Sequence, residues 1–168
     1  MKKYLLALCL SLVSVGTFAQ EYYDDSAAAG DWAIGLNIPL TFGNDAHLGF
    51  GPKLQYYATH ALRFEASLDY FLEAKHRIDW DMNFNLHYLI PAKYSISFYP
   101  VVGITFKHFH WTGDVGDEID DEGRLGLNIG VGAQYDITST IYANYEIKYQ
   151  YVNDFDCGSM CVGIGFRF

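Results

Sequence analysis

The segment Trp32–Phe42 has the sequence WAIGLNIPLTF, in which large apolar residues occupy every second position. One set of alternate positions carries Trp, Ile, Leu, Ile, Leu and Phe, and the other carries Ala, Gly, Asn, Pro and Thr. Successive side chains of a β-strand point to opposite faces, whereas a helix groups residues three and four positions apart. The segment is therefore predicted to be a strand with one strongly apolar face.

The same period of two continues along the rest of the chain. It appears in seven further segments, at residues 48–58, 62–72, 78–90, 94–106, 125–135, 141–151 and 160–168. The apolar faces of the eight predicted strands contain 49 residues, and none of them is charged. After residue 20 no charge-free stretch exceeds 13 residues, whereas a membrane-spanning helix needs about 20. The sequence therefore excludes a helical membrane protein and predicts an all-β chain.

The opposite faces of the predicted strands are polar, and they carry nine Gly and nine charged residues. The charged residues are Lys53, Arg63, Glu65, Asp69, Asp79, Asp81, Glu146, Lys148 and Arg167. Four of these are basic and five are acidic, so their charges nearly balance. Because unpaired ions are costly in a narrow space of low dielectric constant, we expect these side chains to form a paired, hydrogen-bonded network.

Volume decides which face of the strands points outward. The interior of an eight-stranded barrel is only just wide enough for side chains to fill, so 49 mostly large apolar groups do not fit inside. A water-soluble protein does not expose an apolar belt of that size. Lipid favours such a belt, and a closed barrel leaves no backbone group unpaired in hydrocarbon. The sequence predicts an eight-stranded antiparallel up-and-down transmembrane β-barrel with the polar network in its lumen.

The lengths of the predicted strands and loops agree with this barrel. Strands of about 11 residues cross a bilayer when they are tilted. Tyr and Trp gather at strand ends, as expected of interfacial girdles, and Tyr57 is one example. With both termini in the periplasm, the outer loops are residues 43–47, 73–77, 112–123 and 153–159.

The N-terminus has the pattern of a secretory signal. Lys2 and Lys3 precede an apolar run from Tyr4 to Val15, and small residues occupy the −3 and −1 positions of a cleavage site before Gln20. A buried or anchoring N-terminal helix is the alternative interpretation. The predicted divisions of the chain are a signal peptide at 1–19, a flexible N-terminal segment at 20–30 and the barrel at 31–168.

Composition excludes two further classes of protein. The chain of 168 residues has a formal net charge of −9, which argues against binding to nucleic acid. Hydrophobic residues make up 51% of the chain and charged residues only 18%, which excludes a disordered protein.

The last six residues, GIGFRF, follow the order glycine, two residues, an apolar residue, one residue and a terminal aromatic. With Gly163, Phe166 and Phe168 in these positions, the segment resembles the assembly signal of the small outer-membrane β-barrel proteins. This porin-like family includes the OmpA-type and opacity-type eight-stranded domains, and the resemblance extends over Trp32–Phe168. It implies location in a bacterial outer membrane, contact with membrane lipid and lipopolysaccharide, and recognition by the barrel-insertion machinery. A monomer without a cofactor is expected.

Two pairs of residues have spacings that suit a more specific chemistry. His108 and His110 share one strand face near the outer rim, where His-x-His spacing is compatible with a metal ion. Because two ligands alone are weak evidence, no metal site is expected, and interfacial histidines are the alternative. Cys157 and Cys161 lie close together in an exported chain, so either a local disulfide or two reduced thiols would fit.

These observations favour a non-enzymatic outer-membrane barrel protein with a structural or surface-interaction role through its extracellular loops. One alternative is a narrow passive pore, in which charged lumen residues such as Lys53 and Glu146 exchange partners. Another is a lipid-modifying hydrolase of the outer leaflet, with His108, His110, Ser159 and the acidic residues of the third outer loop as candidates. No Ser stands beside either His in the sequence, and the expected outcome is therefore no enzymatic activity.

Overall fold

The computed structural model describes residues 27–43, 46–74, 77–92, 94–111, 121–153 and 155–168. The predicted signal peptide and most of the third outer loop lie outside these residues. Among the described residues, no helix is long and apolar enough to span a bilayer.

The regular structure of the described residues is entirely β. The strands are β1 (Trp32–Phe42), β2 (His47–Tyr57), β3 (Leu62–Ala74), β4 (Arg77–Tyr88), β5 (Ile90–Pro91), β6 (Ile96–Trp111), β7 (Asp121–Asp136), β8 (Ile141–Val152) and β9 (Cys157–Arg167). Seven of the eight predicted strands each correspond to one of these elements, with ends that differ by a few residues, and the fourth, 78–90, covers β4 and the first residue of β5. The largest difference is at β6 and β7, which both continue further toward the outer side than the apolar alternation indicated.

The strands form one closed antiparallel barrel. Neighbours along the chain pair in sequence, and β1 also pairs with β9, so the sheet has no free edge. The two-residue β5 continues the pairing of β4 with β6 after a break at Leu89, whose backbone N–H instead donates to the carbonyl of Ala61. β4 and β5 therefore occupy one position in a barrel of eight strands, and the predicted fold class is confirmed.

The registers give the barrel its stagger. We follow each residue to its register partner on the next strand, starting from Trp32. After one circuit of the barrel the path returns to β1 at Phe42, which is ten residues further along the same strand. The steps are Trp32, Tyr56, Phe64, Leu86, Val102, Ile129, Tyr149, Gly158 and Phe42. A stagger of this size requires strong tilt, about 35–45° for barrels of this kind. The tilted strands enclose a lumen just wide enough to be filled by side chains.

The apolar face of every strand points outward, as the volume argument requires. Leu36 in β1, Leu127 in β7 and Ile164 in β9 are examples of apolar side chains that are more than half exposed. The alternate residues, such as Asn37 and Asn128, are buried inside. The exposed apolar surface forms the belt that lipid acyl chains cover.

The last four residues of the predicted lead-in at 20–30 are described by the structure, and they contact the barrel. Ala27 is buried among Tyr57, Leu89 and Tyr99 at the end of the barrel that carries both termini. The backbone N–H of Gly30 donates to the carbonyl of Tyr57 at 2.7 Å, and Gly30 has a φ of 100° that suits glycine. The segment turns across the barrel mouth because these bonds hold it against β2.

The outward orientation can be tested with one charge. Leu36→Arg places a guanidinium on the lipid-facing side near the middle of β1, and we expect it to reduce the free energy of unfolding by about 2–4 kcal/mol. The measurement is reversible denaturant unfolding of the barrel in lipid vesicles. The control is Ile137→Arg in the exposed β7–β8 turn, with an expected cost of about 0–1 kcal/mol. Equal costs for the two variants would contradict the assigned orientation.

Candidate functional site

The candidate site is the polar lumen. All nine charged residues predicted for the inner face lie there, each with an exposed fraction of 5% or less. The structure adds several inward groups that the sequence reasoning missed, namely Lys107, His87, Tyr57, Tyr99 and Tyr142. Tyr57 was expected in an interfacial girdle. Its position alternates with the outward Tyr56, so strict application of the two-residue period would have placed it inside.

Arg63 is the centre of the periplasmic level of the lumen. Its guanidinium donates to Gln134 Oε1 at 2.5 Å, to Tyr57 Oη at 3.2 Å and to His87 Nδ1 at about 3 Å. It also lies over the ring of Tyr99, with Cζ 4.8 Å from the ring centroid. The side chain is fully buried, and these contacts provide the hydrogen bonds and ring contacts that a buried cation requires.

Two tyrosine rings fill the space beside Arg63, and glycine makes room for them. A Cβ atom at Gly132 would lie 2.4 Å from the ring of Tyr99, and one at Gly165 would lie 2.1 Å from the ring of Tyr142. Any larger residue would displace these rings. Part of the glycine content of the inner face is thus explained by the aromatic side chains packed against it.

The middle level is built from hydrogen bonds that cross the lumen. Lys53 on β2 donates to Asn144 Oδ1 on β8, and Tyr142 on β8 donates to Gln55 Oε1 on the opposite wall. Gln55 in turn donates to Glu65 Oε2 at 2.6 Å. The Lys53 ammonium group is therefore held from across the lumen, and the Glu65 carboxylate is linked to β8 through Gln55.

The second carboxylate of the middle level is Glu146. Tyr99 Oη donates to Glu146 Oε1 at 2.9 Å, and the amide of Asn144 donates to the same oxygen at 3.2 Å. The ammonium group of Lys148 interacts electrostatically with Glu146, Asp69 and Asp81. The charges in this part of the lumen compensate one another, as expected for ions held away from bulk water.

The outer level is an amide and carboxylate network. Gln150 on β8 donates to Asp81 Oδ2 and to Asn83 Oδ1 on β4, each at 3.3 Å. Lys107 on β6 donates to Gln150 Oε1 at 3.0 Å and contacts Cys157 Sγ at 3.1 Å. Nearer the outer rim, His47 Nδ1 lies 3.9 Å from Asp79 Oδ2.

The lumen contains a group of metal-ligand types, Glu65, His87 and Glu146, whose ligand atoms lie within 4.8 Å of one another. Arg63 donates two N–H groups to His87 Nδ1, so this nitrogen must carry the lone pair. The proton of the neutral ring is then on Nε2, which faces Glu65 Oε1 at 3.9 Å. A protonated Nε2 is not a metal ligand, and the hydrogen bonding of the group therefore disfavours a metal.

The histidine pair singled out in the sequence is separated from the lumen. His108 and His110 are half-buried on the outer side of β6, where the His108 ring lies beside Trp80 with centroids 5.2 Å apart. Ser159 is buried on the inner side of β9. The barrel wall stands between these histidines and this serine, so the structure does not bring the candidate hydrolase residues together.

Cys157 and Cys161 are free thiols, so the disulfide alternative is not formed in the structure. The reason is that β9 begins at Cys157, and both cysteines belong to the same extended strand. Four residues of strand separate two Cα atoms by about 13 Å, whereas a disulfide requires about 4.4–6.8 Å.

The residues of the assembly-signal motif lie at the seam between the first and last strands. Gly163 faces the lumen, where an added Cβ would meet Lys53 Nζ at 2.6 Å and Asn37 Oδ1 at 2.8 Å. Phe166 and Phe168 are exposed on the outer face, with ring centroids 6.4 Å apart. Trp32 and Phe168 exchange backbone hydrogen bonds, which extend the β1–β9 pairing to the last residue described.

Comparison with solved structures identifies several barrels of the same shape. The N-terminal β-barrel domain of Pseudomonas aeruginosa OprF is 17% identical with a TM-score of 0.61, covering 81% of this chain and 97% of that chain. Neisserial surface protein A is 16% identical with a TM-score of 0.65, covering 85% and 100%. Ail, the attachment invasion locus protein of Yersinia pestis, is 16% identical with a TM-score of 0.57, covering 83% and 99%. At these identities the likeness concerns the fold.

The sequence itself matches the profile of a known family. The match is to the outer membrane protein beta-barrel domain and extends over residues 5–168. No curated protein sequence matches the chain significantly. The closed barrel, its apolar outer belt and the profile match agree with one another, and the chain belongs to the outer-membrane β-barrel family of bacteria.

Proposed function

We propose that this protein is a closed, non-enzymatic barrel that serves the outer membrane as a structural element and as a carrier of surface-interacting loops. The alternative of a narrow passive pore would need a path along the lumen. The observation that carries the proposal is the set of hydrogen bonds that join opposite walls of the barrel at three successive levels.

These bonds connect strands that are three positions apart around a ring of eight. Arg63 and Gln134 join β3 to β7 at the periplasmic level, and Tyr142 and Gln55 join β8 to β2 in the middle. Gln150 joins β8 to β4 at the outer level. A solute would have to break each level in turn, and each break would leave buried polar or charged groups unpaired, which is costly.

The periplasmic mouth has an additional closure. Ala27 lies in the mouth, and its carbonyl oxygen contacts His60 Nδ1 at 3.0 Å. Asp31 holds the same segment, because its Oδ2 accepts from the backbone N–H of Ala28 and its carbonyl accepts from the N–H of Tyr57. The segment that enters β1 therefore covers the Arg63 level from below and supports a closed barrel.

The arrangement of the candidate catalytic residues supports the non-enzymatic part of the proposal. A hydrolase of the outer leaflet needs a nucleophile, a base and an orienting acid that converge on one side of the wall. The structure separates Ser159 from His108 and His110, as described above. The names of two structural neighbours, a surface protein and an attachment protein, favour surface interaction for barrels of this shape.

We expect the wild-type barrel to carry no steady current in planar lipid bilayers. Because the three levels act in series, shortening one residue at a single level should leave the barrel closed, whereas the triple variant Arg63→Ser, Tyr142→Ser, Gln150→Ser should conduct ions. The measurement is single-channel recording on barrels whose folding is verified by a heat-modifiable gel band.

The control is a triple variant in which outward residues on the same strands are shortened, Phe64→Leu, Tyr145→Leu and Tyr149→Leu. The lumen of this variant should remain closed. A large, steady current through the wild-type protein would refute the closed lumen and establish the pore alternative. Closure of the triple variant would show that the cross-barrel bonds are not what blocks the lumen.

The buried Arg63 network should also contribute to the stability of the barrel. Arg63→Met removes the cation at the centre of the periplasmic level and leaves the acceptors on Gln134, Tyr57 and His87 without their donor. We expect a loss of about 3–5 kcal/mol in the free energy of unfolding, the usual cost of removing one partner from a buried charged network. Denaturant unfolding in lipid vesicles measures it. The neighbouring lipid-facing change Phe64→Met should cost less than about 1.5 kcal/mol, and an equal effect of both would contradict the role of Arg63.

A further inference from the structure

The outer level of the lumen contains a thiol that lies against an amine. Cys157, the first residue of β9, is half-buried. Lys107 on β6 is buried, and its Nζ atom lies 3.1 Å from Cys157 Sγ. Nitrogen nucleophiles condense with oxidised cysteine, so an amine held against a thiol forms a reactive pair.

Two neighbouring side chains hold the amine and the thiol in this position. Gln150 Oε1 on β8 accepts a hydrogen bond from Lys107 Nζ at 3.0 Å and another from Cys157 Sγ at 3.3 Å. Lys107 Nζ also lies over the ring of Phe71, 5.6 Å from the ring centroid, as expected of a cation–π contact. Gln150 is therefore a positioning residue that keeps the nitrogen and the sulfur side by side.

The second cysteine of β9 provides an internal comparison. Cys161 is only 2% exposed, and its Sγ donates to the backbone carbonyl of Val162 at 3.7 Å. Cys157 is more exposed and lies at the outer end of the same strand. Because the oxidation of a cysteine depends on its exposure, a small oxidant reaches Cys157 more readily than Cys161.

We propose that hydrogen peroxide converts Lys107 and Cys157 into a covalent nitrogen–sulfur cross-link that ties β6 to β9 across the outer level of the lumen. First, the thiol attacks the peroxide, so that the O–O bond breaks, a sulfenic acid forms and one water leaves. The Lys107 ammonium group then gives one proton to water, and the resulting amine attacks the sulfenic sulfur. The S–O bond breaks, the S–N bond forms and a second water leaves, so one peroxide is reduced while the sulfur loses two electrons.

The cross-link adds a covalent bond to a level that is otherwise joined by hydrogen bonds. β6 and β9 are three positions apart around the ring of eight strands. Because the new bond closes a chain segment of about 50 residues, it restricts the unfolded chain as a disulfide of the same span does. Thiols reverse it, since a sulfenamide belongs to the reducible products of cysteine oxidation. The cross-link is independent of whether the lumen conducts ions, and therefore goes beyond the proposed function.

A disulfide is the competing oxidation product. Within one chain, the extended strand keeps the Cα atoms of Cys157 and Cys161 about 13 Å apart, which is too far for a disulfide. The Cys157 side chain contacts Lys107 and Gln150 in the lumen, so two barrels side by side in a membrane do not bring their Cys157 thiols together. The amine of Lys107 is therefore the favoured partner of the oxidised sulfur.

The test treats the folded barrel in lipid nanodiscs with hydrogen peroxide and then measures the intact mass and maps the peptides. We expect the chain to become lighter by two hydrogen atoms, with the peptides of Lys107 and Cys157 joined. The temperature at which the folded gel band converts to the unfolded band should rise by about 5–15 °C. Dithiothreitol should restore both the mass and the temperature of the untreated protein.

Three variants, each verified as folded by its heat-modifiable gel band, locate the reaction. The matched control Cys161→Ser should cross-link like the wild type, whereas Cys157→Ser should not react. Lys107→Met keeps the thiol without the amine, and its oxidation should stop at a sulfenic acid that dimedone traps.

The wild-type protein alone is sufficient to refute the proposal. Sulfinic or sulfonic acid on Cys157 without joined peptides, or a disulfide-linked dimer as the main product, would overturn the cross-link. The same would follow if Lys107→Met gave the joined peptides in equal yield. A cross-linked chain that converts at an unchanged temperature would refute the tie between β6 and β9.

Discussion

The structure depends on one constraint: the charged side chains that the alternating pattern directs inward need polar partners inside a lumen only a few side chains wide. Arg63 illustrates how this is met, because its hydrogen bonds reach β4 through His87 and β7 through Gln134. Removal of such groups from water costs several kcal/mol per ion unless partners replace the water. The walls of the barrel are therefore joined both by backbone pairing around the circumference and by side chains across the centre.

The large tyrosines of the lumen show how packing and charge are combined. Tyr99 and Tyr142 occupy volume that would otherwise admit water, and their hydroxyl groups donate to Glu146 and Gln55. Their rings also face the cations Arg63, Lys53 and Arg167 at 4.8–5.7 Å. One residue type thus fills space, satisfies an acceptor and stabilises a cation.

The fold and the nine charged residues of the lumen could be predicted from the sequence because a period of two assigns each residue to a face without any long-range information. The partners inside could not be predicted, because the positions of Arg63 and Gln134 relative to each other depend on the registers of three strand pairs, β3–β4, β4–β6 and β6–β7. The failures have local causes. Lys107 lies beyond the point where clear alternation ends in the sequence. Cys157 was assigned to the fourth outer loop, although it is the first residue of β9.

The seam between β1 and β9 brings together residues from the two extremes of the barrel, such as Ala33 and Arg167. Such distant pairing has a high entropic cost before it yields any stabilisation. Circular closure therefore has to wait until residue 167 has been synthesised and translocated. During that interval the apolar strands of an otherwise finished polypeptide are exposed to water, so the nascent chain needs protection from aggregation on its way to the membrane.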